Sequence, residues 1–218
     1  RSTHCISSAA SDVYKRQTSS RVHSSPRKLA NVVRAAYPIG VPALIMKSST
    51  DRFGEAAGYS FHLGTPDENL RRIASWLLTN AGANQKVLVK LIKRLWKRHG
   101  REDVALAALL LANLDHKNMG TNPWAMLAGN ISRKEPAEAL LLTIEEVLRA
   151  GKSIPSDEQL LAWCKGRTID GHLAVLVIHA ATMRGERVSS EVAEAIQLVS
   201  VPPGDSLLGR IKARIVTV

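Results

Sequence analysis

The sequence has few cysteines, few aromatic residues and no long hydrophobic run. Its two cysteines, Cys5 and Cys164, have neither metal-ligand nor redox-pair spacing, so we expect no metal, no other cofactor and a reducing, cytoplasmic setting. Aromatic residues make up 4% of the chain, whereas alanine and leucine dominate its middle and end, which favours helices over strands. The longest apolar-rich tract, Asp103 to Leu114, is too short to cross a membrane. The N-terminal part also lacks the apolar region of a signal peptide.

The N-terminal residues have an unusual match. Ser7 to Gln17 (SSAASDVYKRQ) agree, residue for residue, with the translation of a common transposase-type sequencing adapter. We interpret residues 1–17 as adapter-derived, 18–25 as disordered, and 26–218 as a single helical domain whose natural N-terminus is missing. The adapter segment holds three of the 30 basic and one of the 19 acidic residues, which leaves 27 and 18, a net charge of +9. This excess predicts a polyanionic partner.

Helical periodicity and cap signals recur along the remaining chain. In the sequence TPDE, Thr65 is expected to cap a helix to about Asn80, with Glu68 as its capping-box partner. Gly100 is expected to stop the next helix. Further helices are expected at Asn84–His99, Arg101–Leu114, around Trp124, and at Ser132–Ala150, Ser156–Gly166 and Ile169–Gly185. The sequence therefore predicts an all-α protein of HEAT-like helical-hairpin repeats that form a curved α-solenoid, with a globular helical bundle as the alternative.

The helix predicted from Asn84 to His99 separates charge from hydrophobicity. Its apolar face includes Leu88, Leu91 and Leu95, and its opposite face contains no acid. Like charges on one helix face repel, whereas a polyphosphate would turn this cost into attraction through counterion release. The face therefore predicts nucleic-acid contact, with a solvated surface or an acidic protein partner as the alternatives. The basic residues are Lys86, Lys90, Lys93, Arg94, Lys97 and Arg98.

The same region resembles a known family. The stretches FHLGTPDENLRRIASWL and LVKLIKRLWKRHGREDVALAALLLANL are similar to the start of the bacterial DNA alkylation repair family, the HEAT-like alkylpurine DNA glycosylases. The stretch LLAWCKG (Leu160 to Gly166) resembles a later helix of that family. The matching positions are Gly64, Pro66, Leu70, Arg71, Ile73, Ala74, Leu95, Trp96, Asp103, Leu106, Ala107 and Leu110.

The resemblance implies a positively charged solenoid that clamps double-stranded DNA and excises N3- or N7-alkylated purines. It implies a carboxylate close to the sugar and tryptophans beside the lesion. Such a purine is already a good leaving group, so electrostatic stabilisation can suffice without a metal. We add Arg71, Arg101 and His172 as candidate phosphate contacts.

The sequence departs from the family pattern at two places. Where the family has W-x-x-x-D, the best match is WAMLA, in which Ala128 replaces the aspartate. Where the family has W-x-R-R, the match is DGHL, which has no arginine. The remaining catalytic candidates are Trp124, expected to be the most exposed tryptophan, and Asp115 and Glu135. Glycosylase activity is therefore an open question.

Three functions remain open at this point. The first is a monomeric DNA-binding HEAT-like protein, with or without glycosylase activity, that uses no metal and no membrane. The second is a non-enzymatic helical scaffold for an acidic protein. The third is an RNA-binding helical protein.

Overall fold

A computed structural model describes residues 20–53, 58–132, 135–202 and 206–216. Within these ranges every regular element is a helix, so the all-α prediction is confirmed there. No helix among the described residues is long and apolar enough to cross a membrane. The adapter-like residues 1–17 lie outside the described residues.

The described residues divide into two compact units, those up to Thr121 and those from Asn122 onward. The single domain over residues 26–218 stays a prediction. The first unit contains α1 (Ser20–His23), α2 (Pro26–Ala36), α3 (Ala43–Phe53), α4 (Asp67–Ala81), α5 (Lys86–Arg98), α6 (Arg101–Asn113) and α7 (His116–Met119). The second contains α8 (Pro123–Asn130), α9 (Ala137–Arg149), α10 (Asp157–Lys165), α11 (Thr168–Met183), α12 (Ser190–Leu198) and α13 (Leu207–Val216).

Helix α6 is the centre of the first unit. It packs against both α4 and α5, and α2 packs against α5. Nearly every side chain of α6 is buried, and Leu106 and Leu110 are fully inaccessible. A helix that is apolar on all sides must be enclosed by its neighbours, and this is how α6 is placed.

Helix α11 has the corresponding role in the second unit. It packs against α9, α10 and α13, and its residues from Leu173 to Ile178 are fully buried. Helices therefore pack as neighbours within each unit. The assembly of HEAT-like repeats into a solenoid stays a prediction.

Several predicted helix ends differ from the structure because distant contacts decide them. The capping box at Thr65 is wrong, since the Thr65 hydroxyl donates to the Tyr37 carbonyl (3.0 Å) and helix α4 begins at Asp67. Glu68 instead pairs with Arg72. Within residues 18–25, where the sequence predicts disorder, residues 20–23 form helix α1 and Ser25 caps α2.

The end of α5 also differs from the expectation. His99, rather than Gly100, takes the left-handed conformation that ends the helix, with φ of 59°. Position 100 requires glycine because a Cβ atom there would lie 1.9 Å from Cζ of Phe61. This close approach allows α6 to begin directly after α5.

Candidate nucleic-acid interface

Helix α5 has the two faces that the sequence predicts. Leu88, Leu91, Ile92, Leu95 and Trp96 are buried, each 4% exposed or less. The opposite face carries the cationic side chains, which the rest of the unit leaves in solvent. Burial of the apolar stripe against α2, α4 and α6 therefore fixes the direction in which the cations point.

These cations line a groove of about 500 Å³ between α5 and α2. Helix α2 contributes Ala30 and Asn31 to the groove. None of the described residues that line it is acidic. Helix α5 contributes Lys90, Lys93, Arg94, Lys97 and Arg98, and we call the first four the groove cations.

The groove cations have no protein partner among the residues that the structure describes. All four are exposed, and none has a hydrogen bond or ion pair with another residue in the part of the chain that the structure describes. Lys93 and Lys97 lie one helical turn apart, as do Lys90 and Arg94, so each faces a like charge. The repulsion is left uncompensated within the described protein.

Arg98 differs from the groove cations. Its Nε and Nη2 atoms both donate to the Asp103 carboxylate at 2.5 Å, and its Nη1 donates to the Ala30 carbonyl at 2.8 Å. Its side chain is 26% exposed, whereas that of Asp103 is fully buried. Burial lowers the pKa of Arg98, but hydrogen bonding to Asp103 and the charge of that carboxylate outweigh it and raise the pKa above its ordinary value. Arg98 thus joins α5 to both α2 and α6.

Tyr37 completes this buried network. Its hydroxyl donates to Asp103 at 2.9 Å, and burial followed by the nearby Asp103 charge raises the pKa of Tyr37 well above its ordinary value. Tyr37 directly follows α2, so the network holds both walls of the groove in place. A bidentate arginine–carboxylate pair fixes geometry more strongly than a single contact does.

Glu102 lies beside Asp103 and is also fully buried. One of its oxygens accepts from the backbone N–H groups of Leu63 and Thr65, at 2.7 and 3.3 Å. Both carboxylates lie in the first turn of α6, where the helix dipole favours negative charge. The sequence analysis did not predict that this acidic pair and Tyr37 hold the groove in place. The sequence feature that could have indicated it is the acidic pair at the start of an otherwise apolar helix.

The other predicted phosphate contacts of the first unit lie outside the groove lining. Lys86 is the exposed first residue of α5, and Arg101 pairs with Asp67 at 3.4 Å. Arg71 is exposed on α4, where it lines a second groove. The first groove therefore brings together five of the nine predicted contacts.

His172 belongs to the second unit. It is half-buried on α11, and its Nε2 lies 3.0 Å from the Ser200 carbonyl oxygen. Burial lowers the pKa of His172, although the hydrogen bond to Ser200 opposes this shift. A neutral imidazole is a weak ligand for phosphate.

The predicted catalytic residues have local structural contacts. Trp124 was expected to be exposed, and this is wrong: it is 2% exposed, and its Nε1 donates to the Ser153 carbonyl at 2.8 Å. Asp115 caps α7 by accepting from the Asn118 backbone (3.2 Å), and Glu135 accepts from the Ser132 backbone (2.8 Å). None of the three lines the α2–α5 groove.

The described residues contain no group of three or more histidine, cysteine or acidic side chains placed to hold a metal ion. No protein-family model matches the chain, and no curated protein or solved structure matches it significantly. The relation to the DNA alkylation repair family therefore stays a prediction from the residues that resemble it.

Proposed function

We propose that the protein binds double-stranded DNA through the groove between α2 and α5. The observation that supports this proposal is that the four groove cations, Lys90, Lys93, Arg94 and Lys97, point into one groove without a protein partner among the described residues. Like charges held this close destabilise the free helix by a few tenths of a kcal/mol per neighbouring pair. A polyanion removes that cost and releases its own condensed counterions.

The length of the stripe suits a nucleic-acid strand. Lys90 and Lys97 are seven residues apart, so they span about 10 Å along the helix axis. Measured along the duplex axis, that distance covers about three phosphates of one strand. The Arg98–Asp103–Tyr37 network fixes the two walls, so little ordering is required when the strand binds.

Replacement of the groove cations tests the proposal. In the variant Lys90→Gln, Lys93→Gln, Arg94→Gln, Lys97→Gln, we expect the affinity for a DNA duplex at low salt to fall on the order of 100-fold or more. The control removes the same charges elsewhere, as Lys47→Gln, Lys117→Gln, Lys165→Gln, Arg187→Gln, since these side chains are also exposed. Equal affinity of both variants would contradict the proposal.

The same titration distinguishes the alternatives. Tighter binding of an RNA duplex of equal length would favour the RNA-binding function, and tighter binding of an acidic peptide would favour the scaffold. Excision of an alkylated purine is a separate question, because no described carboxylate lines the groove. Release of free base from a methylated duplex would answer it.

A further inference from the structure

A second groove, of about 610 Å³, runs along α4. Its lining comes from two neighbouring rows of the helix, in which residues recur every four positions. One row is Glu68, Arg72, Trp76 and Asn80, and the other is Arg71, Ser75 and Thr79. The groove combines an aromatic ring, two arginines and three uncharged polar side chains, and the one acid among its described lining residues is already paired.

Trp76 is the tryptophan that the structure leaves accessible. The other three, Trp96, Trp124 and Trp163, are 4%, 2% and 7% exposed, whereas Trp76 is half-buried. The His23 ring of α1 lies against Trp76, with centroids 5.1 Å apart and planes inclined at 60°. Trp76 also lines the α4 groove, so the part of its side chain that stays accessible is open to a ligand there.

The polar groups of the groove surround this ring. Arg72 lies one turn before Trp76, and its Nη2 donates to Glu68 at 2.6 Å. The side chains of Arg72 and Glu68 are 46% and 68% exposed, so the pair contributes little stability and a phosphate can compete for Arg72. One turn beyond Trp76, the Asn80 amide nitrogen donates to the Trp76 carbonyl at 2.7 Å, which leaves the amide oxygen to accept from a ligand.

We propose that the α4 groove takes an unpaired nucleobase, stacked on Trp76, with its adjoining phosphate on Arg72. An indole face and a guanidinium one helical turn apart match the base and phosphate of one nucleotide, and stacking tolerates any base because every base has a π-face. This extends the proposed function, on which it rests for the class of ligand: the nucleic acid bound by the protein contains unpaired nucleotides beside its duplex.

The test is intrinsic tryptophan fluorescence with two short single strands of equal length. One is oligothymidylate and the other is its abasic analogue, which keeps the phosphates and lacks the bases. Because Trp76 is the accessible ring, we expect oligothymidylate to quench the fluorescence and the abasic strand to leave it unchanged. An oligouridylate strand shows whether the sugar matters, and quenching by either pyrimidine strand supports the stacking site.

Variants of Trp76 locate the effect. Trp76→Leu should abolish the quenching and lower the affinity for oligothymidylate on the order of 10-fold or more relative to the abasic strand. Trp76→Phe keeps an aromatic face, so it should retain most of the preference for the strand with bases, measured by fluorescence anisotropy of a labelled strand. This second variant keeps the test valid if the leucine variant unfolds.

The proposal of the stacking site and the proposal of the duplex groove can be contradicted independently of each other. Equal binding of oligothymidylate and the abasic strand to the natural protein, without quenching, would overturn the stacking site and leave the α2–α5 groove untouched. Unchanged duplex affinity in the four-cation variant would overturn the proposed function. Even then, quenching of the tryptophan fluorescence by thymidine monophosphate, together with loss of that quenching in Arg72→Gln, would still support the site on α4.

Discussion

Three arginines of the second unit differ from the four groove cations of the first in whether their charges have a partner. In the second unit, Arg149 pairs with Glu146, Arg167 with Asp170 at 2.6 Å, and Arg184 with Glu145 at 2.8 Å. In the first, the four groove cations of α5 have no such partner among the described residues. Arg98 is the exception within α5, because Asp103 of the next helix binds it.

This difference separates charges that serve the fold from charges that are free for a ligand. A paired arginine gains its partner during folding, whereas an unpaired cation on a crowded face costs stability until an anion arrives. Arg98 shows that helix position alone does not distinguish the two, since it lies on the same face as Lys97 and Arg94. The buried carboxylate of Asp103 is what distinguishes Arg98 from the groove cations.

The largest expected effect follows from removal of the buried partner. In Asp103→Asn the half-buried Arg98 keeps its charge and loses its counter-ion, so we expect the free energy of unfolding to fall by about 3 kcal/mol. Asp170→Asn, at a more exposed pair that also caps α11, should cost about 1 kcal/mol. Urea denaturation measures both. A greater loss for Asp170→Asn would contradict the role given to the network.

The turn that sets Arg98 beside Asp103 should be the next most sensitive feature. A methyl group in Gly100→Ala meets the Phe61 ring, over which Arg34 stacks at 3.5 Å, so the ring cannot move without loss of that contact. We expect about 1 to 2 kcal/mol of destabilisation, partly restored by Phe61→Leu.

Gly129→Ala is the matched control for this turn. Gly129 lies in α8, where an added methyl group would meet no described atom within 4 Å, and alanine favours the helix. We expect it to be neutral or stabilising by up to about 1 kcal/mol. Equal losses at both glycines would show that the Phe61 contact does not limit the turn.

Charge reversal should have opposite effects at an unpaired groove cation and at a paired arginine of the second unit. Lys93→Glu, in the middle of α5, removes repulsion with Lys90 and Lys97, so it should raise the free energy of unfolding by about 0.2 to 0.5 kcal/mol while DNA affinity falls. Arg184→Glu breaks the pair with Glu145, so it should lower stability by a similar amount and leave DNA affinity unchanged. Thermal unfolding and a duplex titration check the two signs. The same sign of stability change in both variants would remove the distinction between the unpaired and the paired cations.

The smallest expected effect concerns pH. Because burial lowers the pKa of His172, the folded state favours the neutral imidazole. The stability that this contributes is fully present above the unfolded-state pKa, near 6.5, and is lost as the pH falls from there through the lower folded-state pKa. His172→Gln should therefore lose less stability than the natural protein between about pH 7.5 and pH 5, measured by urea midpoints. Identical acid sensitivity would show that His172 does not carry the effect.

The sequence could predict most of the longer helices and the polarity of α5, because both follow from local periodicity. The predicted helix at Arg101–Leu114 ends one residue earlier in the structure, and the helix predicted around Trp124 is α8, where the Asn122 side chain accepts from the Trp124 backbone N–H at 2.8 Å. The five buried residues of α5 also follow from its 3.6-residue period.

The features that the sequence could not predict depend on contacts between distant residues. Thr65 has a good capping sequence, but its hydroxyl binds the Tyr37 carbonyl, 28 residues away. Trp124 follows a helix-starting proline, but its indole reaches Ser153, 29 residues along the chain. Arg98 has the periodicity of a surface cation, but Asp103 and Ala30 approach it from two other helices. Such tertiary partners leave no local pattern.

The salt dependence of duplex binding tests the central claim most directly. Each phosphate contact contributes about 0.9 to the slope of log affinity against log salt concentration. If Lys90, Lys93, Arg94 and Lys97 all contact phosphates, the slope for their four-glutamine variant should be shallower by about 3 to 4 than that of the natural protein, while the control variant keeps its slope. A slope unchanged by loss of the groove cations, or equally reduced in the control, would contradict the claim that this groove binds DNA.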